Sequence, residues 1–343
     1  MTLTPVETRD RKIIRRWSLA GDPHGVAIGH DGTIYVGLAK PQAVAAIDPK
    51  SGSVTKQVVL DSPEIASTKE LVSMRTNADR TRLFIANGSD ESVTILSLPD
   101  LAVLREITLE GEAIRDVIPD PGRKHLYILA RRVHVYDYEG STEIRTLDLE
   151  SPMAIAVSSG GTRLAVIAEV DFGSAKATGV AMFDTTSLKE LSRDPLQTDN
   201  AIEAALFAAG DQALVAVARQ RIYEKPAASP PPANPAKYGA DKDGRMRMQL
   251  DFGDIVNSDT ICLPEGSGPQ IAALVGPGSV VYAERRCSAS GTFSGSERRV
   301  ARASLYGVSA YAIAYDPKTN TIVATDRAGF LTIYRMPTAP NVK

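Results

Sequence analysis

Residues 81–109, TRLFIANGSDESVTILSLPDLAVLREITL, decide the architecture. Residues 83–86 are an apolar run closed by a polar cluster at 87–92. Val93, Ile95 and Leu98 follow, Pro99 and Asp100 form a turn signal, and Leu104, Ile107 and Leu109 make a third apolar segment. Short strands separated by turn residues about every ten positions predict antiparallel β structure.

The same unit recurs along the whole chain. It is visible at 23–38 with 43–60, at 70–87 with 92–109, at 115–130 with 133–149, and at 153–169 with 179–192. It returns at 203–218, at 270–284, and at 311–326 with 330–336. Each unit opens on an apolar inner strand, turns at Gly, Asp or Asn, and continues in alternating strands. Self-similarity of this kind marks a repeat architecture. The expected fold is all-β, a seven-bladed β-propeller of four-stranded blades forming one domain over residues 1–343. The last unit stops after its third strand. The segment KIIRRWSL, within residues 11–20, supplies the missing fourth; this ties the two ends together and leaves no dangling edge.

A family resemblance rests on these repeats. IANGSDESVTILSLPDLAVLREITL (85–109) resembles the YVTN-type propeller repeat, in which Tyr-Val-Thr/Ala-Asn leads through a short polar turn into Ser-Val-Ser-Val-Ile-Asp. IYVGLAKPQAVAAIDPKSGSVTKQVVL (34–60) is similar, and residues 126–140, 164–187 and 322–336 keep the pattern loosely. The resemblance implies the fold. Proteins with this repeat include surface and periplasmic binding proteins, and the wider seven-bladed group includes lactonases and lyases. Chemistry therefore does not follow from the resemblance. The Glu, Asn, Asn, Asp set of the gluconolactonase type is not evident, and His24 matches only part of the His and Glu arrangement of the virginiamycin-lyase type.

Composition excludes several classes. At 43% hydrophobic the chain can bury a substantial core, and 39 basic against 41 acidic residues ask for neither nucleic acid nor an anionic membrane. No run approaches the roughly 18 apolar residues of a membrane span. The N-terminus lacks an apolar signal core, which leaves a cytoplasmic protein, or a periplasmic or secreted one whose leader was removed. Cys262 and Cys287 have no C-x-x-C partner, which argues against redox catalysis and structural zinc; whether they pair depends on the compartment. No P-loop, nucleophile elbow, H-E-x-x-H or dinucleotide fingerprint is present.

The units near 200–285 depart from the repeat. Residues 219–261 exceed a blade connection, and KPAASPPPANPAKYG (225–239), with five prolines, reads as a loop. Both a docking arm over one channel mouth and an insertion without a role fit this composition.

Aligning the inner strands on their apolar cores places His24, Glu70, Arg115, Met153, Glu203, Gln270 and Tyr311 at one level near the channel mouth. The interval from Glu203 to Gln270 is 67 residues, against 38 to 50 elsewhere, which locates the insertion. Polar groups on such strands must be hydrated or paired. The leading expectation is a non-catalytic binding propeller that uses the channel mouth and the insertion for a protein or small-molecule ligand, with Arg115 balancing Glu70 and Glu203. The alternative is a metal-dependent lactonase or lyase. There His24, Glu70 and Glu203 hold a divalent cation such as calcium, magnesium or zinc. Arg115 clamps a substrate carboxylate, and Tyr311 or His24 acts as acid or base. An electron-transfer subunit would need its cofactor from a partner. Elsewhere, His30 sits in an HDG turn, and His125 and His134 lie among Arg123, Lys124, Arg131 and Arg132. Arg285, Arg286, Arg298, Arg299 and Arg302 form the densest basic cluster, which reads first as a solvated hairpin. Asp241 and Asp243 echo a calcium loop without its remaining ligands.

Overall fold

Alternating apolar residues with β-branched and aromatic enrichment favour strands wherever one face can be buried. The computed structural model consists of such strands. It describes residues 12–39, 42–60, 71–87, 91–173, 176–196, 202–208, 213–218, 221–226, 249–251, 269–276, 279–284, 290–294, 310–316, 318–326 and 329–335. After β1 (Lys12–Ser18), a first sheet is a meander of β2 (Pro23–Ile28), β3 (Ile34–Ala39), β4 (Gln42–Ile47) and β5 (Val54–Val59). The second has β6 (Leu71–Thr76), β7 (Arg82–Asn87), β8 (Ser92–Ser97) and β9 (Val103–Thr108). The third has β10 (Asp116–Pro119), β11 (His125–Leu129), β12 (Val133–Asp137) and β13 (Thr142–Leu147). The fourth has β14 (Glu150–Val157), β15 (Arg163–Asp171), β16 (Lys176–Asp184) and β17 (Glu190–Pro195).

Next come β18 (Ile202–Ala208), β19 (Ala213–Ala218), β20 (Arg221–Pro226) and β21 (Gln249–Asp251) in one sheet. A three-stranded sheet of β22 (Pro269–Gly276), β23 (Ser279–Glu284) and β24 (Ser290–Ser294) follows. The last sheet comprises β25 (Ala310–Asp316), β26 (Thr321–Asp326) and β27 (Phe330–Arg335), and β1 joins it beside β27. That pairing runs antiparallel from Lys12 opposite Arg335 to Ser18 opposite Phe330.

Neighbouring sheets bury their faces against one another. Phe84, Val93 and Ile107 of the second sheet share a cluster with Val117, Ile128 and Tyr136 of the third. Tyr127 and Val135 of the third meet Val166 and Phe183 of the fourth. Val26 and Val36 of the first meet Val323 and Leu331 of the last, with Trp17 of β1 against them. Polar residues of the repeat reinforce these seams. Asn87, from the Ile-Ala-Asn of the second unit, is buried; it accepts a hydrogen bond from Gln42 of the first sheet (2.7 Å) and donates to Ser92 and Thr94 of its own.

The turn between third and fourth strands also repeats. Asp48, Asp137 and Asp184 each accept backbone N–H groups two and three residues on, an Asx-type turn. In the same turns Gly52, Leu101, Ser141 and Leu188 adopt positive φ. At Gly52 a side chain has no room, because an added Cβ would lie 2.2 Å from Nε1 of Trp17.

The register bears on two parts of the chain. First, residues 221–226, expected within an insertion, are β20, which pairs with β19 from Ala218 opposite Arg221 to Ala213 opposite Pro226. The chain therefore leaves β20 at the end of the sheet opposite to the one where the inner strand β18 begins, and β21 returns to that first end, with Asp251 opposite Arg221. Second, β2, β6, β18, β22 and β25 each break register near their starts, between Pro23/Gly25, Leu71/Ser73, Ile202/Ala204, Pro269/Ile271 and Ala310/Ala312. The extra residues are His24, Val72, Glu203, Gln270 and Tyr311. In the second sheet the extra residue is Val72, two positions after Glu70. Glu70, Cys262, Cys287, the arginines from Arg285 to Arg302, and Asp241 and Asp243 lie outside the described residues, as do residues 227–248 and 252–261 of the insertion.

Candidate functional site

A β-bulge inserts one unpaired residue, bends the strand and re-aims a side chain. Five inner strands carry one at a common level, and β14 breaks register between Glu150 and Ala154, next to Met153. The third sheet differs: Arg115 sits just before β10, and its N–H bonds to the Leu129 carbonyl. His24, Glu203, Gln270 and Tyr311 thus hold equivalent backbone positions in their strands, with Arg115 and Met153 close to the corresponding positions of theirs.

At the described positions the chemistry is local. The His24 side chain is nearly buried, with Nε2 3.1 Å from Asp22 Oδ2. Arg115 donates from Nη2 to the Ala130 carbonyl (2.6 Å) and to the Pro152 carbonyl, bridging the third and fourth sheets. Desolvation pulls its pKa down from the ordinary arginine value, yet a guanidinium stays charged at physiological pH. An Arg115 carboxylate clamp is therefore restricted to its other N–H groups. Among the described residues no set of three His, Cys, Asp or Glu side chains is disposed to hold a metal ion. Glu70 and the Glu203 side chain are not among those residues.

Further along the inner strands lies an open cavity of about 320 Å3. Its wall is formed largely of small or apolar residues from several sheets, including Val26, Ala27, Ile118, Ala156 and Ala314. Arg75, Thr76, Arg80 and Tyr315 are its polar members. Arg80, in the turn after β6, donates to the Gly29 carbonyl (3.0 Å) and lies 3.5 Å from Asp316, so it ties three sheets together. Sequence reasoning missed Arg75. The signal was available: Arg75 is a charge inside the inner strand LVSMRT, three positions beyond the bulge at Val72.

A second cluster lies in the third sheet. Glu112 accepts from Arg132 Nη2 (2.7 Å) and Nε (3.2 Å), and its other oxygen is 3.1 Å from His134 Nε2. His134 Nδ1 is 2.8 Å from Glu143, which also accepts from Thr146. His134 is buried. Carboxylates only accept, so both contacts are full hydrogen bonds when each ring nitrogen carries a proton. Burial alone would raise the Glu112 carboxyl, but the bonds from Arg132 and His134 outweigh it and hold it at about 2. Burial is likewise outweighed at Glu143, where Thr146 and His134 lower the value. The basic residues near His134 are therefore partly an internal ion network.

The fold defines the class: this is a β-propeller, built among the described residues from antiparallel sheets of four strands and one of three. No family model matches the chain, and comparison with curated proteins finds no significant relative. Among solved structures, the chain is similar to the β-propeller domain of Myceliophteria thermophila Cps50 (Swd1), with a TM-score of 0.69 at 13% identity over 95% of this chain and 100% of that one. It is also similar to a chain of the mitotic checkpoint complex, with a TM-score of 0.70 at 15% identity over 95% of both chains. Identities this low carry the fold and leave the site chemistry to be argued from residues. Among the described residues no helix is long and apolar enough to cross a membrane.

Proposed function

We propose that this chain is a seven-bladed, single-domain propeller of the YVTN type that works as a non-catalytic binding scaffold. Its recognition surface is the channel end bearing His24, Arg115, Glu203, Gln270 and Tyr311, and its partner is a protein or a small molecule. The observation that carries this reading is the set of bulges. Register breaks near the starts of five inner strands put chemically varied residues at corresponding backbone positions, which supports a recognition surface there. The Pro/Ala-rich insertion is a second contact surface.

Quantitative capture of partners from cell extract tests this reading, comparing wild type with His24→Ala/Glu203→Ala and with a deletion of 227–248, all verified as folded. The expected result is a stoichiometric partner lost in the double variant and kept in the deletion. An identical set captured by wild type and double variant overturns it. Calorimetry separates the catalytic alternative: tight divalent-cation binding lost in Glu203→Gln would favour a metal-dependent lactonase or lyase.

A further inference from the structure

The channel cavity carries an inference of its own. It begins about 10 Å beyond the bulges, three residues along a strand at roughly 3.3 Å each, and does not depend on their role. Its volume of about 320 Å3 matches the lower range of small-molecule pockets. Left to water it would hold about ten molecules at ~30 Å3 each, mostly against alanine and aliphatic surface that offers them no hydrogen bonds.

One charged group in this wall retains unused donors. Arg75 Nη1 donates to the carbonyl of Met74 at a long 3.3 Å, and Nη2 stands 3.6 Å from Asp116 Oδ1, beyond hydrogen-bond distance. Asp116 is satisfied elsewhere: the same oxygen accepts from Ser73 Oγ (2.6 Å) and Val117 N (2.9 Å). The other cavity arginine, Arg80, is engaged by Gly29 and Asp316. The Arg75 guanidinium thus offers a planar pair of N–H groups to the cavity, and among the described residues no further acceptor meets them.

We propose that the cavity binds a small monocarboxylate. Arg75 takes the carboxylate in a two-point contact, and the surface of Ala27, Ile118, Ala156 and Ala314 takes its apolar body. The fork of a guanidinium matches the two oxygens of a carboxylate. Phosphate fits less well. Asp116, 3.6 Å from Arg75 Nη2, already offsets part of the guanidinium charge, so a dianion meets about twice the repulsion that a monoanion does for the same two-point contact.

Benzoate and its neutral amide, benzamide, are suitable probes by calorimetry or saturation-transfer NMR, with methyl phosphate as the anionic control. Wild type is expected to bind benzoate at least about tenfold more tightly than benzamide, the ratio that about 1.4 kcal/mol of charge-assisted bonding produces. Arg75→Gln should erase that preference. Ala314→Leu, which narrows the cavity and leaves the charge in place, should weaken both probes. Thermal unfolding checks that each variant is folded, and if Arg75→Gln is not, the wild-type benzoate and benzamide pair decides alone. Equal binding of the two by wild type, binding of neither, tighter binding of methyl phosphate, or wild-type benzoate affinity in folded Arg75→Gln would each overturn the proposal.

Discussion

Glu112 shows how one residue's chemistry depends on strands far from it in sequence. Its carboxyl is held at about 2, against an ordinary value of 4.5. A carboxyl depressed by folding contributes stability that is complete above its unfolded value and lost as pH falls through its folded one. The contribution should therefore disappear between about pH 4.5 and about pH 2. Glu112→Gln should cost about 2 kcal/mol near neutrality, the usual worth of bonds to a charged group. It should also flatten the acid limb of stability measured by urea titration across that window. Little of this was legible beforehand. His134 and Arg132 read as a charged edge because Glu112 lies some twenty residues away and Glu143 is on the next strand. Only the ladder that sets His134 opposite Thr146 and Tyr136 opposite Glu143 brings them together. The bonds of Arg115 were hidden for a similar reason. Its polarity stood out on an apolar strand, but the carbonyls of Ala130 and Pro152 that receive its N–H groups belong to other segments.

Strands were easier to read than their register. Short apolar runs parted by turn residues over residues 83–109 mark β7, β8 and β9 directly; β7 and β8 are buried on both faces, with Leu83 and Ile85 in one inter-sheet cluster and Phe84 and Ala86 in another. A bulge defeats the same counting, because one added residue reverses the phase of everything before it. The break between Leu71 and Ser73 in the second unit is therefore not legible from the apolar pattern of LVSMRT. The turn elements make a sharper prediction. Gly52 holds a positive φ, and its missing side chain is the space filled by the Trp17 ring. Gly52→Ala should destabilise the protein by about 2–4 kcal/mol, combining left-handed strain with overpacking. Trp17 is the sole tryptophan, so its fluorescence should move to longer wavelength in the same variant. An unshifted spectrum with wild-type stability would contradict this account.

For the whole molecule, the seam between β1 and β27 matters most. It covers an edge that would otherwise offer unpaired N–H and C=O groups to other chains. Deleting residues 1–20 should lower the unfolding temperature and promote self-association, seen as earlier elution in gel filtration. A monomer of unchanged stability would show that the seam contributes little. The seam was legible from arithmetic on the repeats, because one unit lacked a strand and one strand lacked a unit. The channel's lining was less so, since facing residues come from sheets dozens of positions apart and a repeat pattern does not rank their depths.

Lys12 and Arg335 face each other at the same end of that seam. The geometry has a mechanical consequence. A load applied through these two residues would peel the ladder bond by bond, as a zipper opens, and not shear all its bonds at once. In an optical-trap experiment the first event should be a low-force release of β1 alone, with the remaining sheets yielding only at higher load.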